Sequence, residues 1–435
     1  MVGSLTCGLL SGYFGRKKVN IAGSLISVSG FLFLRFAESV TLLYIGRVLG
    51  GYSFGILFTN TPLYNGEISQ SRLRKFTGAL MPAFYNAGFV MTFGLTTIQG
   101  WRTVVLIMLG FPCINIGLLL ICPESPTWMM ISGRKEQTVS VLTSLRGSKD
   151  VAMKEIKRIE DNIKKQKDST TVDDGTSSMM RNLKVMGKGT FIRPFLVVVM
   201  LLMFGWHWTG GPIISFYTID IIQGVKIPMD PYLCGLMLAC YQFFMSIVST
   251  ILCSIIPRRK LFMACGVFET IGNLILGTMV YLNRQEYFSD IGKEYPFVNW
   301  IPLLGILLYY GGYFAGYVTI IFTLLAEILP SNARNIGSSL ATACSISSLF
   351  ILIKFAPTLQ EEIGLEGCFW LFSGITFCSV IFCYMFVPET FGKSLESIED
   401  HYRAICYGNK VNPKTTLKVQ PNNIELTKFN WETKI

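Results

Sequence analysis

Ten stretches of about 20 mainly apolar residues follow one another along this chain, and that is the length a helix needs to cross a bilayer. They run over 19–37, 41–63, 77–99, 102–122, 194–218, 233–256, 261–282, 299–328, 336–357 and 366–387. Lipid offers no water to an open backbone, so repeated spans of this size fold as helices. Composition agrees: 51% of residues are hydrophobic, 15% are charged and the mean hydropathy is +0.47, where a soluble domain is about a quarter charged. An eleventh run, 1–14, reaches roughly 21 Å at about 1.5 Å per residue, short of the hydrocarbon core. Basic residues follow that run rather than precede it, so it does not read as a signal peptide. The expected fold class is therefore an all-α polytopic membrane protein.

The net charge of +11 does not point to nucleic acid, because the basic residues gather in short clusters between apolar runs. Arg16-Lys17-Lys18, Arg72/Arg74/Lys75, the 123–190 segment, Arg258-Arg259-Lys260 and Arg334 mark alternate loops. The other loops are poor in Lys and Arg or offset by acids such as Glu38, Asp230 and Glu361. Positive charge resists translocation and is drawn to the anionic leaflet, which places the basic loops and the C-terminal tail in the cytoplasm of a plasma-membrane protein. Segment 123–190 is dense in Lys and Glu and reads as solvated amphipathic helices. The polar tail beyond about 400 reads as loosely ordered. The 12 cysteines mostly lie inside apolar runs, where they act as small hydrophobes. No metal-ligand spacing, cofactor motif or nucleophile–base pair is present, so neither a metal, nor a cofactor, nor an enzyme is expected. The expected partners are a small solute and the lipid bilayer, with no nucleic acid, for a monomeric chain.

Three motifs occur once on each side of the central segment. Gly15-Arg16-Lys17 is echoed by Pro257-Arg258-Arg259, Glu67 ahead of Arg74 by Glu327 ahead of Arg334, and Pro123-Glu124-Ser125 by Pro388-Glu389-Thr390. Their offsets, roughly 240 to 265 residues, are nearly constant, so the chain contains two halves with the same helix order. The reading gives a first membrane half at 1–122, a cytoplasmic helical segment at 123–190, a second membrane half at 191–387 and a tail at 388–435. Parallel halves of this kind bind a substrate between them near the bilayer midplane.

Gly46-Arg47-Val48-Leu49-Gly50-Gly51, Trp101-Arg102, Pro123-Glu124-Ser125-Pro126-x-Trp128 and Pro388-Glu389-Thr390-x-Gly392-Lys393 resemble the motifs of the sugar porter family of the major facilitator superfamily. Their order matches that family from Met1 to about Asp400, and the pattern is most similar to the insect facilitated trehalose transporters. The resemblance implies a major facilitator fold with two pseudo-symmetric helical halves and twelve helices. Eleven are counted here, the first run being partial; the resemblance makes that run the end of the second helix, with the first helix absent through truncation, an alternative start or a misplaced start codon.

The resemblance also assigns roles. Arg16, Arg47, Glu67, Arg74, Glu124, Arg258, Arg259, Glu327, Arg334 and Glu389 correspond to a cytoplasmic charge network that latches the two halves. Charges at a membrane edge are costly unless paired, which the recurrence of acidic partners in both halves supports. Gly12 stands where the family has an acid, and Thr127 where it has Arg. On the seventh helix the family's sugar-gripping amides are replaced by Trp206-His207-Trp208-Thr209-Gly210-Gly211-Pro212, with Tyr217 keeping register. Gln242, Phe322 and Ser345 occupy positions that carry sugar-binding Asn, Trp and Asn in the family. Trp206, His207, Tyr217, Gln242, Phe322 and Ser345 are thus the candidate substrate contacts. Glu269, Asn273 and Lys354, also inside apolar runs, read as interhelical hydrogen-bonding or snorkelling residues. The expected function is facilitative transport of a trehalose, hexose or polyol by alternating access. The alternatives are a non-transporting sugar sensor, a truncated inactive member, or a carrier of a non-sugar solute.

Overall fold

The computed structural model describes residues 1–70, 74–168, 189–224, 229–285, 296–329 and 334–391, together with 393, 397–398 and 401–402. Every regular element within them is helical. The first half comprises α1 (Val2–Phe14), α2 (Arg16–Arg35), α3 (Val40–Ile68), α4 (Arg74–Ile98) and α5 (Trp101–Ile121). Three shorter helices follow: α6 (Pro126–Ile131), α7 (Lys135–Arg146) and α8 (Lys149–Asp168). The second half opens with α9 (Gly189–Met200), a π-helical turn at Leu201–His207, α10 (Gly211–Phe216) and α11 (Thr218–Gly224). It continues with α12 (Pro231–Ile255), α13 (Arg258–Arg284), α14 (Ile301–Gly312), a second π-helical turn at Tyr313–Tyr317, α15 (Val318–Ile328) and α16 (Arg334–Phe386).

Among the described residues, eight helical stretches are long and apolar enough to cross a membrane, and α1 is a shorter apolar helix. Their outer faces are greasy: Ile121 is 85% exposed and Phe350 65%, which suits lipid and not water. Local signals set the ends. Ser39 and Asp230 cap α3 and α12 by accepting from backbone amides of the first turn, at 3.4 Å from Leu42 and 3.0 Å from Tyr232 and Leu233. Arg102 donates to the Ala37 carbonyl at 3.2 Å just past the C-terminal end of α2. Close helix crossings use glycine. A Cβ on Gly3 of α1 would sit 2.2 Å from the Tyr52 carbonyl oxygen of α3, and one on Gly55 of α3 would meet Ser4 of α1.

The structure changes three readings. The apolar run at 41–63 understates α3, whose 29 residues carry the helix on to Ile68 and so place Glu67 on its last turn. The runs at 336–357 and 366–387 form one 53-residue element with a corner at Gly364, where φ is 73 and ψ is 165. Glycine occupies that backbone at little cost, so two helices are joined with no loop between them. The third correction concerns the tail: Ile398 and Tyr402 are 1% and 4% exposed in the core of the second half. The remainder of the tail, residues 169–188 and the acidic loop at 286–295 lie outside the described residues.

The described part of the central segment, 123–168, forms the helices α6, α7 and α8. Leu142, Ala152 and Ile156 of α7 and α8 form a small apolar core of their own. This unit is tied to the first half by Arg146, which donates to the Ile68 carbonyl at 2.9 Å, and by Trp128, which donates to the Gly12 carbonyl at 2.9 Å.

Candidate functional site

The two halves carry matching charge clusters at corresponding helix ends. In the first, Arg16 opens α2 and pairs with Glu67 on α3 through two bonds, at 3.1 Å and 3.2 Å, while its third arm donates to the Ser11 carbonyl at 2.9 Å. Ser125 donates to the same Glu67 carboxylate. Glu124 lies over Gly15 and accepts the Lys17 backbone N–H at 2.9 Å. Gly15 has φ 99, and a Cβ there would fall 2.7 Å from the Glu124 carboxylate, so the approach depends on glycine.

The second cluster repeats this. Arg258 opens α13 and pairs with Glu327 on α15, with Thr390 accepting from the same guanidinium at 3.2 Å. Glu389 accepts the backbone N–H groups of Arg258 and Arg259 at 3.1 Å and 3.2 Å. Arg259 donates to the Tyr384 carbonyl and lies 4.7 Å over the Tyr384 ring. In both halves, then, a glutamate caps the positive N-terminal end of a helix whose first side chain is an arginine paired to another glutamate. Each cluster is complete within its half: among the described residues, no ion pair joins one half to the other.

Arg47 does not belong with these residues. It is exposed on α3 near Val40, the end opposite Glu67, about 30 Å away at 1.5 Å per residue. The side chains of Arg74 and Arg334, at the first positions of α4 and α16, lie outside the described residues.

The run at 194–218, read as one span, is broken twice. Its π-helical turn ends at His207, and Gly210, at φ 98, turns the chain before α10. A Cβ on Gly210 would press to 2.7 Å of the Phe372 ring, and one on Gly211 to 2.3 Å of the Tyr313 ring. Pro212 then starts α10, where its missing N–H costs nothing. The freed carbonyls find partners: Tyr313 donates to the Trp206 carbonyl at 3.2 Å and Asn273 to the Thr209 carbonyl at 3.2 Å. The break aims its side chains in two directions. His207 Nε2 and Ser345 Oγ are hydrogen-bonded at 2.8 Å, and Trp208 donates to Ser348 at 2.7 Å, so both tie the break to α16. Trp206 turns the other way, stacking on the His207 ring at 4.2 Å and standing edge-on to Phe322 at 4.7 Å. Phe322 in turn meets Phe58 of α3 at 6.2 Å, so an aromatic row reaches from one half to the other.

The sequence-derived contacts therefore divide. Trp206 and Phe322 come together and remain half-buried. His207 and Ser345 come together but are 1% and 0% exposed, bonded to each other through Nε2, while the buried His207 Nδ1 has no partner among the described residues. Gln242 is 3% exposed, its side chain facing the Tyr310 hydroxyl. Tyr217 lies half-buried, packed on the apolar cluster of the second half. Phe58 and Ser348 were not foreseen, because nothing in an apolar run marks which side faces a neighbouring helix.

A sequence profile described as sugar (and other) transporter matches residues 1–402. The chain belongs to the sugar transporter family. Among its relatives, the facilitated trehalose transporter Tret1 of Polypedilum vanderplanki is 30% identical over 399 residues, covering 92% of this chain and 76% of that protein. Tret1 of Culex quinquefasciatus is 29% identical over 406 residues, covering 93% and 75%. Tret1 of Aedes aegypti is 30% identical over 399 residues, but the chain spans about half its length, 48%. The xylose transporter XylE from E. coli in an inward-open conformation superposes with a TM-score of 0.72 at 18% identity, covering 92% of this chain and 86% of that one. The proton:xylose symporter XylE bound to 6-bromo-6-deoxy-D-glucose gives 0.70 at 18% identity, again covering 92% and 86%. The family is one of multi-pass membrane transporters, and the chain is a transporter rather than an enzyme. Where this chain departs from the family pattern, the structure accommodates the change: Gly12 contributes only a carbonyl, which takes the Trp128 indole N–H.

On α7 and α8, Glu155 holds Arg146 by two bonds of 2.6 Å and 2.9 Å. These bonds push the guanidinium pKa above its ordinary value.

Proposed function

We propose that this chain moves a sugar across the plasma membrane by facilitative alternating access, binding it between the two halves. The observation that carries the reading is the aromatic row Phe58–Phe322–Trp206, which spans the interface of the halves beside the broken seventh helix. Aromatic faces stack on the apolar faces of sugar rings, and a helix break offers backbone groups at membrane depth only where it lines a site. Trehalose, a hexose and a polyol are the substrate candidates, because the relatives are named as trehalose transporters and the amides that would grip a particular sugar are replaced here.

The charge clusters at Arg16 and Arg258 act as the cytoplasmic gate in this reading, with Arg74 and Arg334 supplying the link between halves. The central helices α6 to α8 and the tail are cytoplasmic. Saturable uptake of radiolabelled trehalose, glucose and sorbitol by proteoliposomes containing the full chain tests the proposal. Saturable flux of one of them, competed by the unlabelled sugar, is the expected result. Absence of flux for all three in folded protein would overturn it.

A further inference from the structure

Glu269 sits mid-way along α13, is 0% exposed, and has no hydrogen-bond partner for either carboxylate oxygen among the described residues. The site is tight: Gly312 of α14 packs against the Glu269 backbone, and a Cβ there would lie 2.9 Å from its nitrogen. The hydroxyls of Thr209, at the helix break, and Tyr309, on α14, face the carboxyl group. The Tyr309 hydroxyl is itself buried, with no other partner among the described residues. One turn further along α13, Asn273 holds the Thr209 carbonyl. Glu269 thus stands directly behind the break that carries Trp206 and His207.

Among the described residues, the elements packed around Glu269 place no Lys or Arg beside it, and the break contributes His207, whose Nε2 is bonded to Ser345. The second π-helical turn and α14 contribute the tyrosines Tyr309, Tyr313 and Tyr317, and α13 itself contributes Cys265. From α12 comes Cys253, beside Cys265. The face of α16 against α13 contributes Ser373, Val380 and Trp370. The arginines of α13 lie at its two ends, where Arg258 is held by Glu327 and Arg284 by Glu366. An ionised carboxylate at this depth would be a bare charge in hydrocarbon-like surroundings, whereas a neutral acid is a donor that the Thr209 and Tyr309 hydroxyls can accept.

We propose that Glu269 is a proton-binding site, occupied in this conformation, which exchanges its proton with water only when the break at Thr209–Gly210 opens. Flux then depends on pH through a residue that does not touch the solute. The proposal rests on the transport reading for its role in flux, but the bound proton does not. Above the midpoint of such a site, the protonated fraction falls about tenfold per pH unit.

Infrared difference spectra of the purified full chain in lipid, recorded between neutral and alkaline buffer, test the site directly. The expected result is a protonated-carboxyl C=O band at neutral pH that is lost on alkalinisation, absent in E269Q and shifted in E269D. A neutral-pH spectrum that E269Q leaves unchanged would overturn the proposal, whatever the protein transports. In proteoliposomes, wild-type sugar uptake should fall with rising pH towards that tenfold per unit, and E269Q should vary less than twofold over the same range. The same pH dependence in E269Q as in wild type would overturn the role in the cycle. An infrared band of the expected kind in a chain that moves no sugar would support the proton site and sink the transport reading instead.

Discussion

Arg16 grips Glu67 with two of its nitrogens, at 3.1 Å and 3.2 Å, and so fastens the first turn of α2 to the last turn of α3. Arg258 and Glu327 make the equivalent link between α13 and α15. The side chains are 16–20% exposed, so these pairs are screened less than surface ones and a lost partner leaves a cation at the membrane edge. Glu67→Gln and Glu327→Gln should each cost about 1–3 kcal/mol of stability. The effects should add in the double variant, because no described ion pair couples the two clusters. Thermal unfolding in detergent, followed with a thiol-reactive dye, reads both numbers. Marked non-additivity would mean that the clusters are joined through Arg74 or Arg334.

Orientation follows from the same helix ends. A cysteine introduced for the exposed Lys154 on α8, in a background without reactive thiols, should react with an impermeant maleimide only after the cells are opened. Labelling in intact cells would place α6 to α8 outside and reverse the assignment of loops.

Gly210 combines a left-handed backbone with a ring against its Cα. Gly210→Ala should destabilise the second half by about 2 kcal/mol or more, from backbone strain and crowding together. Shrinking Phe372 as well should restore only part of the loss, since space does not relieve φ. The melting temperature of size-exclusion-purified protein separates the two contributions.

At the aromatic row, Phe322→Ala should weaken half-saturation for sugar about fivefold, and Phe322→Trp should strengthen it, as one ring contact contributes about 1 kcal/mol. His207→Ala behaves differently. Its ring is buried and bonded to Ser345, so the change should lower stability by about 1–2 kcal/mol and protein yield more than apparent affinity. An affinity loss with unchanged stability would return His207 to the ligand surface.

How far the sequence could be read depended on what kind of signal each feature leaves. Apolar runs mark helices because lipid demands them, and the Arg16 and Arg258 clusters stand out because one pattern occurs twice, once in each half. Arg47 lies inside a family motif, yet only its distance along α3 separates it from Glu67. The break at Gly210 sits inside a run that stays apolar throughout, so hydropathy passes over it, whereas Gln360-Glu361-Glu362 reads as a loop where the chain only turns a corner at Gly364; each depends on a single glycine taking a positive φ. Pairing of His207 with Ser345, or of Phe58 with Phe322, requires knowing which helices are neighbours, and periodicity within one helix is silent about that.

The small core of Leu142, Ala152 and Ile156 gives the central helices a shape of their own, and Arg146 and Trp128 anchor that shape to the first half. They are a handle as much as a connector. A fluorophore fixed to α8 would report the tilt of the first half without touching any membrane helix. A binding protein raised against α7 and α8 would add mass to one rocking arm alone, enough to make its orientation visible in single-particle images of a chain that otherwise hides almost wholly in its micelle.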